Sequence, residues 1–128
     1  MIETGITNKI TRKVTPELTA RSMGSGELDV FATPAMIALI EETAWKSAAP
    51  HLGDGQGTVG TSLNIAHTAP TPVGMQVTCE TTLSMIDRRR LVFDVTVCDE
   101  RGEIGRGTHE RFIIDSAKFQ AKANAKAE

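Results

Sequence analysis

One stretch of this chain, "VFATPAMIALIEETAWKSAAPHL" at residues 30–52, can form a long apolar helix, and no second helix of that kind exists to pack against it. Thr33 is a natural N-cap, and Pro34 suits a first helical turn, where its missing N–H would have gone unbonded anyway. Pro50 and Gly53 end the run, so the spacing predicts a helix over 34–49 of about four turns. Much of the remainder alternates apolar and polar residues with the period of a strand.

Ile6, Ile10 and Val14 alternate with polar neighbours until Pro16, which predicts a first strand over residues 6–14. "TARSMGSGELDV" has two glycines and no periodicity and is expected to be a loop. In "GTVGTSLNIAH", Val59, Leu63, Ile65 and His67 share one parity and Gly60, Ser62, Asn64 and Ala66 the other, a strand ending at His67. "TAPTPVG" then turns the chain. Met75, Val77, Cys79, Leu83 and Met85 share a face, as do Leu91, Phe93, Val95 and Val97 after the turn "DRRR". "DERG" leads into a third strand over 103–114, which completes an antiparallel meander and an α+β class. Matching the apolar faces pairs Leu83 with Phe93 and puts Cys79 and Cys98 on opposite faces, so no disulfide is expected. The Ala/Lys-rich tail, about 117–128, is expected to fray or form a short exposed helix.

The 128 residues fit a single domain, 1–128, long enough to fold without a disulfide or metal staple. A net charge of -2, from 14 basic and 16 acidic side chains, gives no broad basic field, and nucleic acid is not an expected partner. With no signal-peptide pattern and no apolar run long enough to span a membrane, a cytoplasmic protein is expected. The two cysteines and His51, His67 and His109 lack metal-ligand spacing, so no metal is expected.

The helix carries two adjacent carboxylates. At 100° per residue Ile37, Ile40, Ala44 and Ala48 form a stripe that takes in Glu41, while Glu42 points toward Lys46, an ordinary surface pair. A carboxylate in an apolar stripe loses hydration and moves toward the acid/base range, or it is satisfied by a backbone group or by an arginine such as Arg111. His67, at the end of a strand and the mouth of a proline-rich loop, can act as donor or proton carrier. Thr33 is fully explained by capping.

"VFATPAMIALIEETA", "GTVGTSLNIAHTAPTPVG" and "IGRGTHERFIID" resemble the fluoroacetyl-CoA thioesterase family of hotdog-fold proteins over about Phe31 to Phe119, most specifically in "HTAPTPVG" at 67–74. The resemblance implies a central helix wrapped by a curved antiparallel sheet and a homodimer with active sites at the subunit interface. It implies Thr33, Glu41 and His67 as the catalytic group, Gly60 as a backbone donor to the thioester oxygen, and Arg111 as a support for substrate or dimer. It further implies a small acyl-CoA substrate and no cofactor beyond the coenzyme A of that substrate. "SMGSGELDV" lacks the phenylalanine of the family's lid, which points to a more general small-acyl thioesterase. A non-hydrolysing acyl-CoA-binding protein and a hotdog hydratase or dehydratase are the alternatives. "DRRRL" suits phosphate, as a basic turn also suits solvent. Thr33 and Glu41 lie about 12 Å apart along one helix, so they converge only through a substrate between them or through a partner subunit.

Overall fold

A computed structural model describes residues 1–128. The elements run β1 (Thr7–Lys13), α1 (Ala20–Met23), α2 (Thr33–Ala48), β2 (Gln56–His67), β3 (Gln76–Asp87), β4 (Arg90–Asp99), β5 (Gly102–Asp115) and α3 (Ser116–Ala125), with 3-10 turns at Pro16–Leu18 and Ala49–His51. The five strands form one antiparallel sheet in the order β1-β3-β4-β5-β2. Helix α2 contacts β1, β2, β3 and β5, lying along the sheet's inner face in the expected hotdog arrangement.

The core forms where the two periodicities meet. Met36, Leu39, Ile40 and Ala44 of α2 pack with Val77, Cys79 and Leu83 of β3 and with Leu91, Phe93, Val95 and Val97 of β4. Leu83 is paired with Phe93, as the apolar pattern predicts, while Cys79 faces Val97 on the inside and Cys98 pairs with Thr78 on the outside, both thiols free. Gly105 on β5 lets the helix settle closely: a Cβ there would stand 2.9 Å from the Met36 methyl and 2.8 Å from the Ala66 carbonyl oxygen. Only glycine admits that approach.

Four expectations need correction. The segment predicted as a loop contains α1, which Thr19 caps by accepting from the Ser22 N–H (3.2 Å) and Gly24 ends at φ 72°. Met85 is exposed rather than core, because a bulge between Leu83 and Met85 reverses the inside parity and turns Ile86 inward. The buried face of α2 is centred on Met36, Ile40, Thr43, Ala44 and Ser47, so Glu41 sits at its margin with its side chain 41% exposed. The N-cap position of α2 is Ala32, with no side-chain cap, and Thr33 is already helical. The tail forms the exposed helix α3, which Asp115 caps.

Candidate active site

Strand β2 carries the decisive local feature. Thr58 pairs with Ile113 and Gly60 with Arg111; after a register shift between Gly60 and Ser62, Leu63 pairs with His109, Ile65 with Gly107 and His67 with Gly105. Paired residues of antiparallel strands share a face. Thr61 is therefore the extra residue of a bulge, and Gly60 lies on the same inner face as Leu63, Ile65 and His67, contrary to the simple parity of the sequence.

Beneath Glu41 this face presents Gly60, His109 and Arg111. A Cβ on Gly60 would collide with Glu41 Oε2 and would lie 3.2 Å from both Arg111 Nη1 and His109 Cε1. Arg111 is buried, its side chain 6% exposed. A buried guanidinium is tolerable only when charge and N–H groups are matched. Its Nε donates to Thr58 Oγ1 (2.8 Å), Nη2 to the Thr58 carbonyl (3.0 Å) and Nη1 to Glu41 Oε2 (3.4 Å), while Nη1 also meets His109 Nε2 at 3.1 Å. Burial pushes Arg111 below its usual range, and the Glu41 charge offsets part of that. Of the alternatives open in the sequence, an arginine partner for Glu41 is the one present, although the carboxylate is half-exposed rather than buried.

The second group lies toward the start of α2. Thr33 Oγ1 and His67 Nδ1 are 2.8 Å apart, so the hydroxyl read from the sequence as a cap instead meets the imidazole. Phe31 meets the His67 ring edge-on, centroids 6.4 Å apart at 74°. Burial pushes the imidazole below its usual range, with the Ala69 backbone pulling the other way. His67 Nε2 is buried without a hydrogen-bond partner. Thr33 and His67 line a cleft of about 290 Å³ together with Val30, Phe31, Ala69 and Pro70. That is the small end of the range for ligand sites.

Thr33 and His67 thus meet within one chain, and Glu41, Gly60 and Arg111 form a neighbouring group that does not touch them. Glu42 pairs with Lys46 as expected, at 2.5 Å, and also with Arg12 at 2.6 Å. Sequence reasoning missed Thr58 and His109. The one available signal was that His109 shares parity with Arg111.

Chemically, the inner face offers a carboxylate held by a guanidinium, a hydroxyl–imidazole pair, and a small cleft beside them. This set suits attack on an activated carbonyl. A family model described as "Fluoroacetyl-CoA-specific thioesterase" matches residues 14–117. The fluoroacetyl-CoA thioesterase of Streptantibioticus cattleyicolor is 43% identical over 98 residues, 77% of this chain and 70% of that protein. A solved structure of the fluoroacetyl-CoA thioesterase FlK superposes with a TM-score of 0.92 at 37% identity, covering 98% of each chain. A mutant of that enzyme in complex with acetyl-CoA superposes at 0.93 with 34% identity, covering 99% of this chain and 100% of that one. Fold and sequence agree across most of the chain, which belongs to the fluoroacetyl-CoA-specific thioesterase family.

Proposed function

We propose that the protein hydrolyses small acyl-CoA thioesters to a carboxylate and free coenzyme A. The observation that carries this reading is the pairing on one inner face of a half-exposed carboxylate, Glu41, held on one oxygen by Arg111, with a Thr33–His67 pair in a small cleft. A binding protein would need the cleft but not the two polar groups. The relative solved with acetyl-CoA supports the substrate class.

In the proposed reaction the acyl group enters the cleft beside Phe31 and Pro70, and the thioester oxygen takes the Gly60 N–H, a donor worth about 3 kcal/mol when aimed at a developing oxyanion. Arg111 leaves Glu41 Oε1 free to accept a proton from water as the water oxygen adds to the carbonyl carbon. The C–S bond then breaks. Thr33, held by His67 at the wall of the cleft, orients the acyl group. The proton taken by Glu41 ends on the thiol, and the acid formed releases its remaining proton to solvent, so carboxylate and coenzyme A are the products.

The active unit is a homodimer in this reading. Strand β2 pairs only with β5 and leaves a 12-residue edge open. Such an edge is usually paired or covered. Pairing two β2 edges would bring the exposed parts of α2, including Trp45, toward the partner, and would let one subunit's Thr33 and His67 approach the other's Glu41.

The test is thiol release from acetyl-, fluoroacetyl-, phenylacetyl- and medium-chain acyl-CoA by the wild type and by Glu41→Ala. Release confined to the small acyl groups and reduced about a hundredfold or more in the variant is expected. Near-normal turnover in the variant would remove Glu41 from the mechanism.

A further inference from the structure

His109 has no part in the reaction as proposed, yet it is among the most completely enclosed polar side chains of the protein, with none of its surface exposed. Its ring stacks beside Phe93, centroids 6.4 Å apart at 29°. Nδ1 lies 2.9 Å from the Ser62 carbonyl oxygen, an acceptor only, so Nδ1 must carry the proton and donate it there. Nε2 of the neutral ring is then a lone pair, and Arg111 Nη1 stands 3.1 Å from it. Burial, with the Arg111 charge acting in the same direction, pushes this imidazole below its usual range and keeps that lone pair available.

The remaining donors of Arg111 fit the same scheme. Thr58 holds Nε and Nη2, and His109 takes one of the two hydrogens on Nη1. The other hydrogen points to Glu41 Oε2. We propose that His109 is a positioning residue that acts through Arg111: its Nε2 lone pair fixes the Nη1 edge of the guanidinium, and so fixes which Glu41 oxygen is held and which is left for water. The bulge at Thr61 is part of the device, because the carbonyl that fixes the His109 tautomer belongs to Ser62, the first residue paired after the register shift. This inference rests on the proposed catalytic role of Glu41.

Two amide side chains separate the ring's two contacts. In His109→Asn the amide overlays Nδ1, keeping the donor to Ser62 but losing the acceptor for Arg111. In His109→Gln the amide reaches the place of Nε2 and restores that acceptor. Turnover of acetyl-CoA is measured per folded protein, alone and in the Glu41→Ala background. Expected are a fall in kcat of about tenfold or more for His109→Asn with KM nearly unchanged, since misplacing a reacting group by a fraction of an ångström has that effect, and recovery to within about threefold of wild type for His109→Gln. In the Glu41→Ala background, His109→Asn should cost no more than about twofold further, because positions that act as one unit do not add.

Wild-type kcat in His109→Asn, or losses that multiply in the double variant, would overturn the inference while leaving Glu41 in place. Equal loss in His109→Asn and His109→Gln would also overturn it, since a packing role does not distinguish the acceptor. Full activity in Glu41→Ala alone would sink the inference together with the reading on which it rests.

Discussion

Replacing Gly60 with alanine separates the stability of the inner face from its chemistry. Gly60 is not among the glycines at positive φ, so alanine is conformationally allowed there. Leaving a strand glycine for alanine gains about 0.5–1 kcal/mol through reduced freedom of the unfolded chain. The new methyl collides with Glu41 Oε2 and crowds Arg111 and His109 at 3.2 Å. These neighbours yield unequally. Thr58 holds Arg111 at two points, and Ser62 and Phe93 hold His109, whereas Glu41 is the half-exposed tip of a flexible side chain. Glu41 therefore retreats, by about 1 Å if ordinary carbon contact is to be restored. Mild overpacking with a movable neighbour costs about 1 kcal/mol, at the low end of its range, so the two terms nearly cancel and Tm should stay within about 3 °C of wild type.

The chemical effect does not cancel. A 1 Å displacement of a reacting group costs about a hundredfold, and the backbone N–H of residue 60 survives the substitution, so the loss reports the carboxylate rather than the oxyanion donor. The assay is acetyl-CoA hydrolysis followed by thiol release, beside thermal unfolding of the same preparation. A Gly60→Ala protein with wild-type kcat would refute the reasoning, as would one that loses 10 °C of Tm, because the methyl would then be displacing the rigid Arg111–His109 wall instead of Glu41.

Two further outcomes follow from the same structure. His67 and His109 are both held below the ordinary imidazole value of 6.5 by burial, so below that pH the unfolded chain takes up protons first. Their contribution to stability is complete above pH 6.5 and is lost as pH falls through the folded-state values; urea midpoints at pH 7.5 and 5.5 should show the decline, and a smaller one in His109→Gln. Glu42, held below the usual carboxylate range chiefly by Lys46 and also by Arg12, is remote from this chemistry, and Glu42→Ala should lower stability by no more than about 1 kcal/mol and leave kcat within about twofold.

Much of the architecture was legible because it rests on long periodic runs. The Leu83–Phe93 pair and the opposite faces of Cys79 and Cys98 follow from apolar spacing, the ends of α2 from Pro34, Pro50 and Gly53 to within a residue, and the exposed tail from its Ala/Lys-rich composition. What could not be read depends on single residues whose alternatives are nearly equal in energy. In the sequence Thr33 has a sufficient local use as a cap, whereas in the fold it is the first helical residue and its hydroxyl meets His67 from a distant strand. Glu41 was assigned to an apolar stripe because Ile37 and Ile40 suggested one, whereas the face that reaches the sheet is centred on Met36, Ile40 and Thr43.

The bulges are the deeper case. Nothing in "VGTSL" or "LSMI" marks an extra residue, yet each shifts every later side chain to the opposite face. At Thr61 that shift has a chemical consequence. With unbroken alternation, a strand that aims His67 at Thr33 would turn residue 60 outward and set another side chain where Glu41 needs empty space. One inserted residue lets the same strand present a glycine to the carboxylate and, seven positions later, an imidazole to the hydroxyl. The candidate site thus depends on a departure from the periodicity that made the fold readable.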